Sequence, residues 1–197
     1  MCNETFSWPL KPLGELLDIA RETIVPASYP EDQFVHYSIP AWDETRGPAL
    51  EKGATIGSAK ISVKQPTILV SKLNPRISRV VLVDNPVGPR HCASTEFIPY
   101  VRKADVSLPF YKWFFQSQSF QHRLERIATG STNSHTRAHG SETLNWTVPR
   151  PSPKEQSRIA AVLDSVDEAI AKTEAVIAKL RQVRAGLLHD LLTRGLD

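Results

Sequence analysis

Val148-Pro149-Arg150-Pro151-Ser152-Pro153-Lys154-Glu155-Gln156-Ser157-Arg158-Ile159-Ala160-Ala161-Val162-Leu163 divides the chain into two kinds of sequence. Three prolines in five positions, Pro149, Pro151 and Pro153, exclude a helix interior and favour a stiff, extended connector. From Lys154 onward there is no proline. Apolar residues there fall at Ile159, Leu163, Val166, Ile170, Ile177, Leu180, Leu187 and Leu191, the alternating four and three of a heptad, interrupted at Thr173 and Arg184. Val162, Ala169, Val176 and Val183 add a third row that widens the seam. Ser152 or Pro153 can start this helix, Glu155 and Gln156 suit its first turn, and Gly195 lies where a stop is expected. About 38 residues at 1.5 Å each make a rod of roughly 57 Å. Such a rod cannot bury its whole stripe on a small domain, so the spacing predicts that it meets another long helix. The alternative is one amphipathic helix folded back on its own domain.

The 197 residues suffice for one ordinary domain with an appended element and exclude several enzymes in one chain. With 41% hydrophobic and 23% charged residues, most of the chain should fold. Val80-Val81-Leu82-Val83 is strand-sized, and no apolar run reaches the roughly 18–20 residues of a membrane span. Met1-Cys2-Asn3-Glu4-Thr5 has neither a basic nor an apolar leader region, and Cys2 and Cys92 form no CxxC pair, which together favour a reducing, cytoplasmic setting. His135 and His139 stand four apart, but a structural zinc site needs more ligands, and no metal is expected.

The net charge of +3 is unevenly spread. Residues 1–71 carry 6 Lys/Arg against 9 Asp/Glu, residues 72–153 carry 11 against 5, and residues 154–197 carry 7 against 7. The middle stretch, at +6, also holds His91, His122, His135 and His139. A local basic region suits a polyanion; the alternative is a merely solvated basic face.

Upstream of the prolines, the pattern predicts a short helix over Pro12 to Arg21 and strands over Thr67 to Lys72, Arg79 to Asp84 and Glu96 to Arg102, with a break at Asn74-Pro75-Arg76. Ser107 can cap a helix running to about Ala128, before Gly130. Its Phe110, Tyr111, Trp113, Phe114, Phe115, Phe120, Leu124 and Ile127 read mainly as core, although such rings can also stack on unpaired bases. Thr129 to Arg137 is polar and too long for a tight turn. Mixed strands and helices followed by a segregated helix predict an α/β domain, residues 1–153, with a coiled-coil arm, residues 154–197.

A catalytic signature is missing. The chain has no GxxxxGK[ST] phosphate loop and no GxGxxG fingerprint. Asn74-Pro75-Arg76-Ile77 and Asn85-Pro86-Val87-Gly88 lack the second proline and the aromatic ring of the Asn/Asp-Pro-Pro-aromatic motif of amino-methyltransferases. No Glu-x-Lys follows an aspartate at metal-nuclease spacing, and the serines lack the glycine pair of a nucleophile elbow. Binding without catalysis and without a cofactor is the expectation.

The proline-rich lead-in, the Glu155-Gln156-Ser157-Arg158-Ile159 signature and the terminal Leu187-Leu188-His189-Asp190-Leu191-Leu192 resemble the conserved region of type I restriction-modification specificity subunits. Trp8 to Ile19, Ile68 to Asn74, Ala93-Ser94-Thr95-Glu96-Phe97 and Gly130-Ser131-Thr132 resemble further recurrent segments of that family, so the likeness covers essentially the whole chain. One departure is large: a complete subunit of the family has two recognition domains and two such helices, whereas this chain has one of each.

The resemblance implies a non-catalytic half-subunit that reads double-stranded DNA for methyltransferase and restriction (nuclease-translocase) subunits. Lys72, Arg76, Arg79, Arg90, Arg123, Arg126 and Arg137 are then candidates for phosphate contacts, of which about a third are expected to touch DNA. The Asn74 turn and the loop with Ser131, Thr132, Asn133, His135 and Arg137 would reach base edges, Asn133 toward adenine and Arg137 toward guanine. A second copy, or another half-subunit, would pair antiparallel through Ile159, Leu163, Val166, Ile170, Ile177, Leu180, Leu187 and Leu191 and set the spacer of a bipartite site. A coiled-coil interaction protein or inactive fragment that occupies the methyltransferase subunits without reading DNA is the competing reading.

Overall fold

The computed structural model describes residues 8–130 and 136–195. The chain divides into two units, Met1–Ser157 and Arg158–Asp197. The first runs β1 (Leu10–Pro12), α1 (Leu13–Leu16), β2 (Leu17–Ile19), β3 (Thr23–Ile24), β4 (Gln33–Tyr37), α2 (Ile39–Thr45), β5 (Ala49–Lys52), β6 (Lys60–Ser62) and β7 (Thr67–Ser71). It continues with β8 (Val80–Val83), β9 (Arg90–Ala93), β10 (Phe97–Arg102), α3 (Leu108–Gln116), α4 (Gln118–Arg126), β11 (Ala128–Thr129), β12 (Arg137–Ala138), α5 (Gly140–Thr143) and β13 (Thr147–Pro149). The last helix, α6 (Pro153–Arg194), starts in the first unit and makes up the second. This is the expected class: a mixed α/β domain followed by one long helix.

β7 is buried at all five positions and β10 at its first five, as apolar strands covered on both faces should be. They pair antiparallel from Phe97↔Ser71 to Val101↔Thr67, within a sheet ordered β2-β10-β7-β8. On one side α3 packs against β7 and β8 and carries the aromatic core. Phe115 lies 4.7 Å from Tyr100 and 4.6 Å from Phe120, ring to ring, and Phe120 lies 5.4 Å from Trp146. The helix aromatics are therefore largely core. Burial raises the Tyr100 phenol, which shares a hydrogen bond of 2.6 Å with Thr143, and pushes Tyr111 up to about 12.

Ile61, Val63 and Ala93 pack against Leu69, Val81, Val83 and Phe97, joining the first sheet to a second of order β3-β6-β9-β4-β5. Its one parallel pair is β4 with β9, from Phe34↔Arg90 to Tyr37↔Ala93. Its edge strands are short, two residues in β3 and four in β5, and β5 carries Glu51 and Lys52, which is why sequence pattern alone did not reveal them. Gly53 closes the turn after β5, where a Cβ would meet the Tyr29 carbonyl oxygen at 2.1 Å. No other residue fits there.

Two expected helices are corrected. Over Pro12 to Arg21 only Leu13–Leu16 is helical; Leu17–Ile19 turns extended and pairs with β10, because Leu13, Leu16 and Leu17 are all buried and a sheet edge outweighs so short a helix. The helix expected from Ser107 to Ala128 breaks at Ser117, whose extended backbone (φ −62°, ψ 145°) starts α4. Its hydroxyl donates to the Phe114 carbonyl at 2.6 Å and accepts from the Phe120 amide at 3.3 Å, so one serine ends one helix and caps the next.

The entry into α6 is built from the signature itself. Ser152 and Glu155 form a reciprocal capping box: the Glu155 amide donates to Ser152 Oγ at 3.4 Å, and Glu155 Oε2 accepts from the Ser152 amide at 3.0 Å and its hydroxyl at 2.8 Å. Those bonds hold the Glu155 carboxyl below its ordinary value. Gln156, fully buried, accepts from the Ser107 amide at 2.8 Å and donates to the Pro151 carbonyl at 2.8 Å. Glutamate caps the helix; glutamine ties its first turn to the start of α3. β1 pairs with β13, Leu10↔Pro149, so both ends of the domain meet beside this junction.

Candidate nucleic-acid interface

β7 ends at Ser71, and the chain turns sharply at Asn74, which adopts the left-handed conformation (φ 46°) that asparagine tolerates better than most residues. The Ser71 hydroxyl donates to the Leu73 carbonyl at 2.9 Å, the Ile77 amide to the Asn74 carbonyl at 3.0 Å, and Arg76 Nε reaches Asn74 Oδ1 at 3.4 Å. Against this turn lies the segment that follows the long polar loop. The Asn74 amide donates to the Thr136 carbonyl at 2.9 Å, the Ala138 amide donates to the Lys72 carbonyl at 3.0 Å, and Leu73 bridges Arg137. Arg137 in turn pairs with Thr129 across β11 and β12. Two segments about sixty residues apart in sequence thus form one edge that brings together Lys72, Asn74, Arg76 and Arg137.

Glu96 joins this edge from a third segment. Its carbonyl accepts from the Lys72 amide at 2.9 Å, and its carboxylate takes Arg137 Nε at 2.9 and 3.1 Å and Nη2 at 3.0 Å. The carboxylate raises the already high Arg137 pKa. Lys72 also lines a cleft of about 430 Å³ with Arg21, Glu22, Thr95 and Ser141. Sequence reasoning missed Glu96, although it is one of only five acidic residues in the basic stretch 72–153.

The other cationic candidates are placed elsewhere. Arg126 lies exposed in the last turn of α4, two residues before β11. Arg123 stacks on Trp146 at 4.4 Å and donates to the Thr147 carbonyl at 3.3 Å. Arg90 stands at the start of β9, over the Tyr29 ring at 4.1 Å and bonded to Asp32 at 2.8 Å. Arg79 is corrected: it is only 6% exposed and grips Asp43 with Nε and Nη2 at 2.7 Å each, so it ties α2 to the start of β8 and offers nothing to a surface ligand. The guanidinium holds the Asp43 carboxyl below its ordinary range. Ser131, Thr132, Asn133 and His135 lie outside the described residues. Among the described residues, no group of three His, Cys, Asp or Glu side chains is placed to hold a metal ion.

In the second unit the heptad rows stand open to solvent. Val166, Ile170, Ile177, Leu180, Leu187 and Leu191 are between 43% and 62% exposed, and Leu163 is 37% exposed. Ile159 is half-buried. No helix among the described residues is long and apolar enough to cross a membrane, because charged residues interrupt the rows.

The family model of the type I restriction modification DNA specificity domain matches residues 7–182. The chain belongs to that family. Its fold is shared by the HsdS subunit from Thermoanaerobacter tengcongensis, at 20% identity and a TM-score of 0.68 over 96% of this chain and 51% of that one. The type I restriction-modification S subunit of M. genitalium matches at 18% identity and a TM-score of 0.61, over 99% and 49%. A chain from a type I R-M system studied for its complex assembly and conformational transition matches at 21% and 0.69, over 96% and 51%. This specificity domain, with its helix, spans about half the length of those proteins. The Glu155-Gln156 signature of the specificity domain is, in this chain, the joint that starts its helix.

Proposed function

We propose that this chain is the DNA-reading component of a type I restriction-modification complex in the cytoplasm, non-catalytic and without a cofactor of its own. It directs methyltransferase and endonuclease subunits to a bipartite site. The observation that carries the reading is the assembled edge: the Asn74 turn and the strand of Arg137 meet there, at the end of the polar loop, inside the one stretch of the chain with a net charge of +6. Lys72, Arg76 and Arg126 serve phosphate contacts, which fix position without reading sequence. Asn74 and Arg137 read base edges, a role also assigned to Ser131, Thr132, Asn133 and His135 on their sequence alone. Arg90, at the start of β9, and Arg123, on α4, belong to other elements than this edge and are weaker contributors.

The second unit supplies assembly. A helix of 42 residues, about 63 Å long, with exposed apolar rows at heptad spacing calls for a helical partner. A second copy paired antiparallel through Ile159, Leu163, Val166, Ile170, Ile177, Leu180, Leu187 and Leu191 rebuilds a two-domain reader, and another half-subunit would do the same. The methyltransferase subunits dock on the paired helices, and the restriction subunit joins them.

The test is competition binding of specific against random duplexes at several salt concentrations, with the methyltransferase subunits present. A reader shows a preferred site and an affinity that falls steeply with salt. Salt-insensitive association with no sequence preference supports instead an interaction protein that occupies those subunits, a reading favoured only by the open rows of α6.

A further inference from the structure

Arg137 stands in the basic edge yet brings it no net charge, because Glu96 cancels it. An arginine that serves DNA by attraction gains from an unpaired charge, and a carboxylate beside it weakens counterion release. Stability accounts for only part of the pair, since with Arg137 48% and Glu96 25% exposed solvent screens even its bidentate geometry. What the carboxylate does is fix direction. It occupies the Nε and Nη2 side of the guanidinium with three short contacts, while the backbone on both flanks is held by the Leu73 bridge and by Thr129. A guanidinium has five N–H donors in one plane. Glu96 takes the one on Nε and one on Nη2, and the remaining three, two on Nη1 and one on Nη2, have no partner among the described residues. Those three form the end-on fork that matches two adjacent acceptors in a plane.

We propose that Glu96 is a positioning residue that locks Arg137 as a rigid, end-on reader of a base edge with two neighbouring acceptors, the N7 and O6 of guanine in the major groove. The inference rests on the DNA-reading function proposed above and names one specificity determinant within it. The clamp raises discrimination, since a side chain already held in its reading orientation loses little freedom on binding. The cost is attraction, since the negative charge of Glu96 faces the same polyanion.

That trade separates this role from a structural one. The experiment selects from a library of duplexes with randomised positions, using the full chain with its methyltransferase subunits, and compares wild type with R137A, R137K, E96Q and E96A. Thermal melting confirms that each variant is folded. The expected result is that R137A and R137K lose a guanine preference at one position of the half-site, by about 10- to 100-fold, leave the other positions intact and change affinity for random duplex by only about threefold or less. E96Q and E96A are expected to lose part of that same preference, yet to bind random duplex more tightly and with a salt slope steeper by about one. Two results overturn the proposal: R137A weakening all duplexes alike with a slope shallower by about one, which marks a phosphate contact, or E96Q leaving the preference at every position unchanged. No preference in the wild-type chain overturns the DNA-reading function itself, and this inference with it. A wild-type preference indifferent to Glu96 and Arg137 overturns this inference alone.

Discussion

The two units of the molecule differ in where their side chains find partners. In the first, apolar residues of two sheets and the aromatic helices close on one another, and the buried Arg79 and Gln156 bond inside the unit, to Asp43 and to Ser107 and Pro151. In the second, residues as apolar as Ile170 and Leu180 stand half exposed at regular spacing. The first unit is a folded object that presents a polar edge. The second is a helix whose apolar rows stand open to solvent. If the open rows serve assembly, as proposed, folding and assembly are written in separate parts of this chain, and substitutions should separate them.

The largest contrast comes from placing a charge in each apolar set. Leu69→Asp puts an unpaired carboxylate between the two sheets, where Leu69 is fully buried, and is expected to abolish cooperative folding in thermal unfolding followed by circular dichroism. Leu180→Asp is expected to leave the melting of the first unit unchanged while weakening self-association by at least about 100-fold in analytical ultracentrifugation, or about 2.7 kcal/mol, the scale of burying one large apolar side chain. Equal melting losses from both would erase the distinction.

Arg79→Ala sharpens it within the basic residues. Because Asp43 keeps access to water, the loss is expected at about 1–3 kcal/mol of stability, less than for a pair buried on both sides, with base preference unchanged. The pH dependence follows from the sign of the shift. Asp43 is held below its ordinary value in the folded chain, so its contribution is complete above that ordinary value and is lost as pH falls through the depressed one. Denaturant titrations at descending pH should therefore show the wild type and Arg79→Ala converging in acid.

How much of this was legible in the sequence follows the same division. The long helix was readable because heptad spacing is a local signal, and it fell short only in length, reaching Pro153–Arg194 where about 38 residues were expected. The strands at Thr67–Ser71, Val80–Val83 and Phe97–Arg102 were readable as apolar runs. The second sheet was not, since Gln33–Tyr37 and Arg90–Ala93 gain their strand character from pairing with each other rather than from alternation. For the site, the sequence named the Asn74 turn and Arg137 separately but carried no sign that they adjoin, and Arg79 was indistinguishable from its surface neighbours until its aspartate, thirty-six residues upstream, was placed beside it. Glu96 went unread because a search for cations passes over the anion that orients one.

A final pair of substitutions probes the first turn of α6. Gln156→Ala strands the Ser107 amide and the Pro151 carbonyl and is expected to lower stability by about 1–3 kcal/mol. Ser152→Ala removes only the exposed capping bonds and is expected to cost about 1 kcal/mol. Both are read as shifts in denaturant midpoint. The reverse order would place the weight of the signature on its glutamate.

DNA reading is proposed for the first unit. It is tested most directly by binding of the full chain, with its methyltransferase subunits, to a library of randomised duplexes at physiological salt. Enrichment of one bipartite site with two related half-sites is expected; equal retention of all duplexes would show that the first unit reads no sequence.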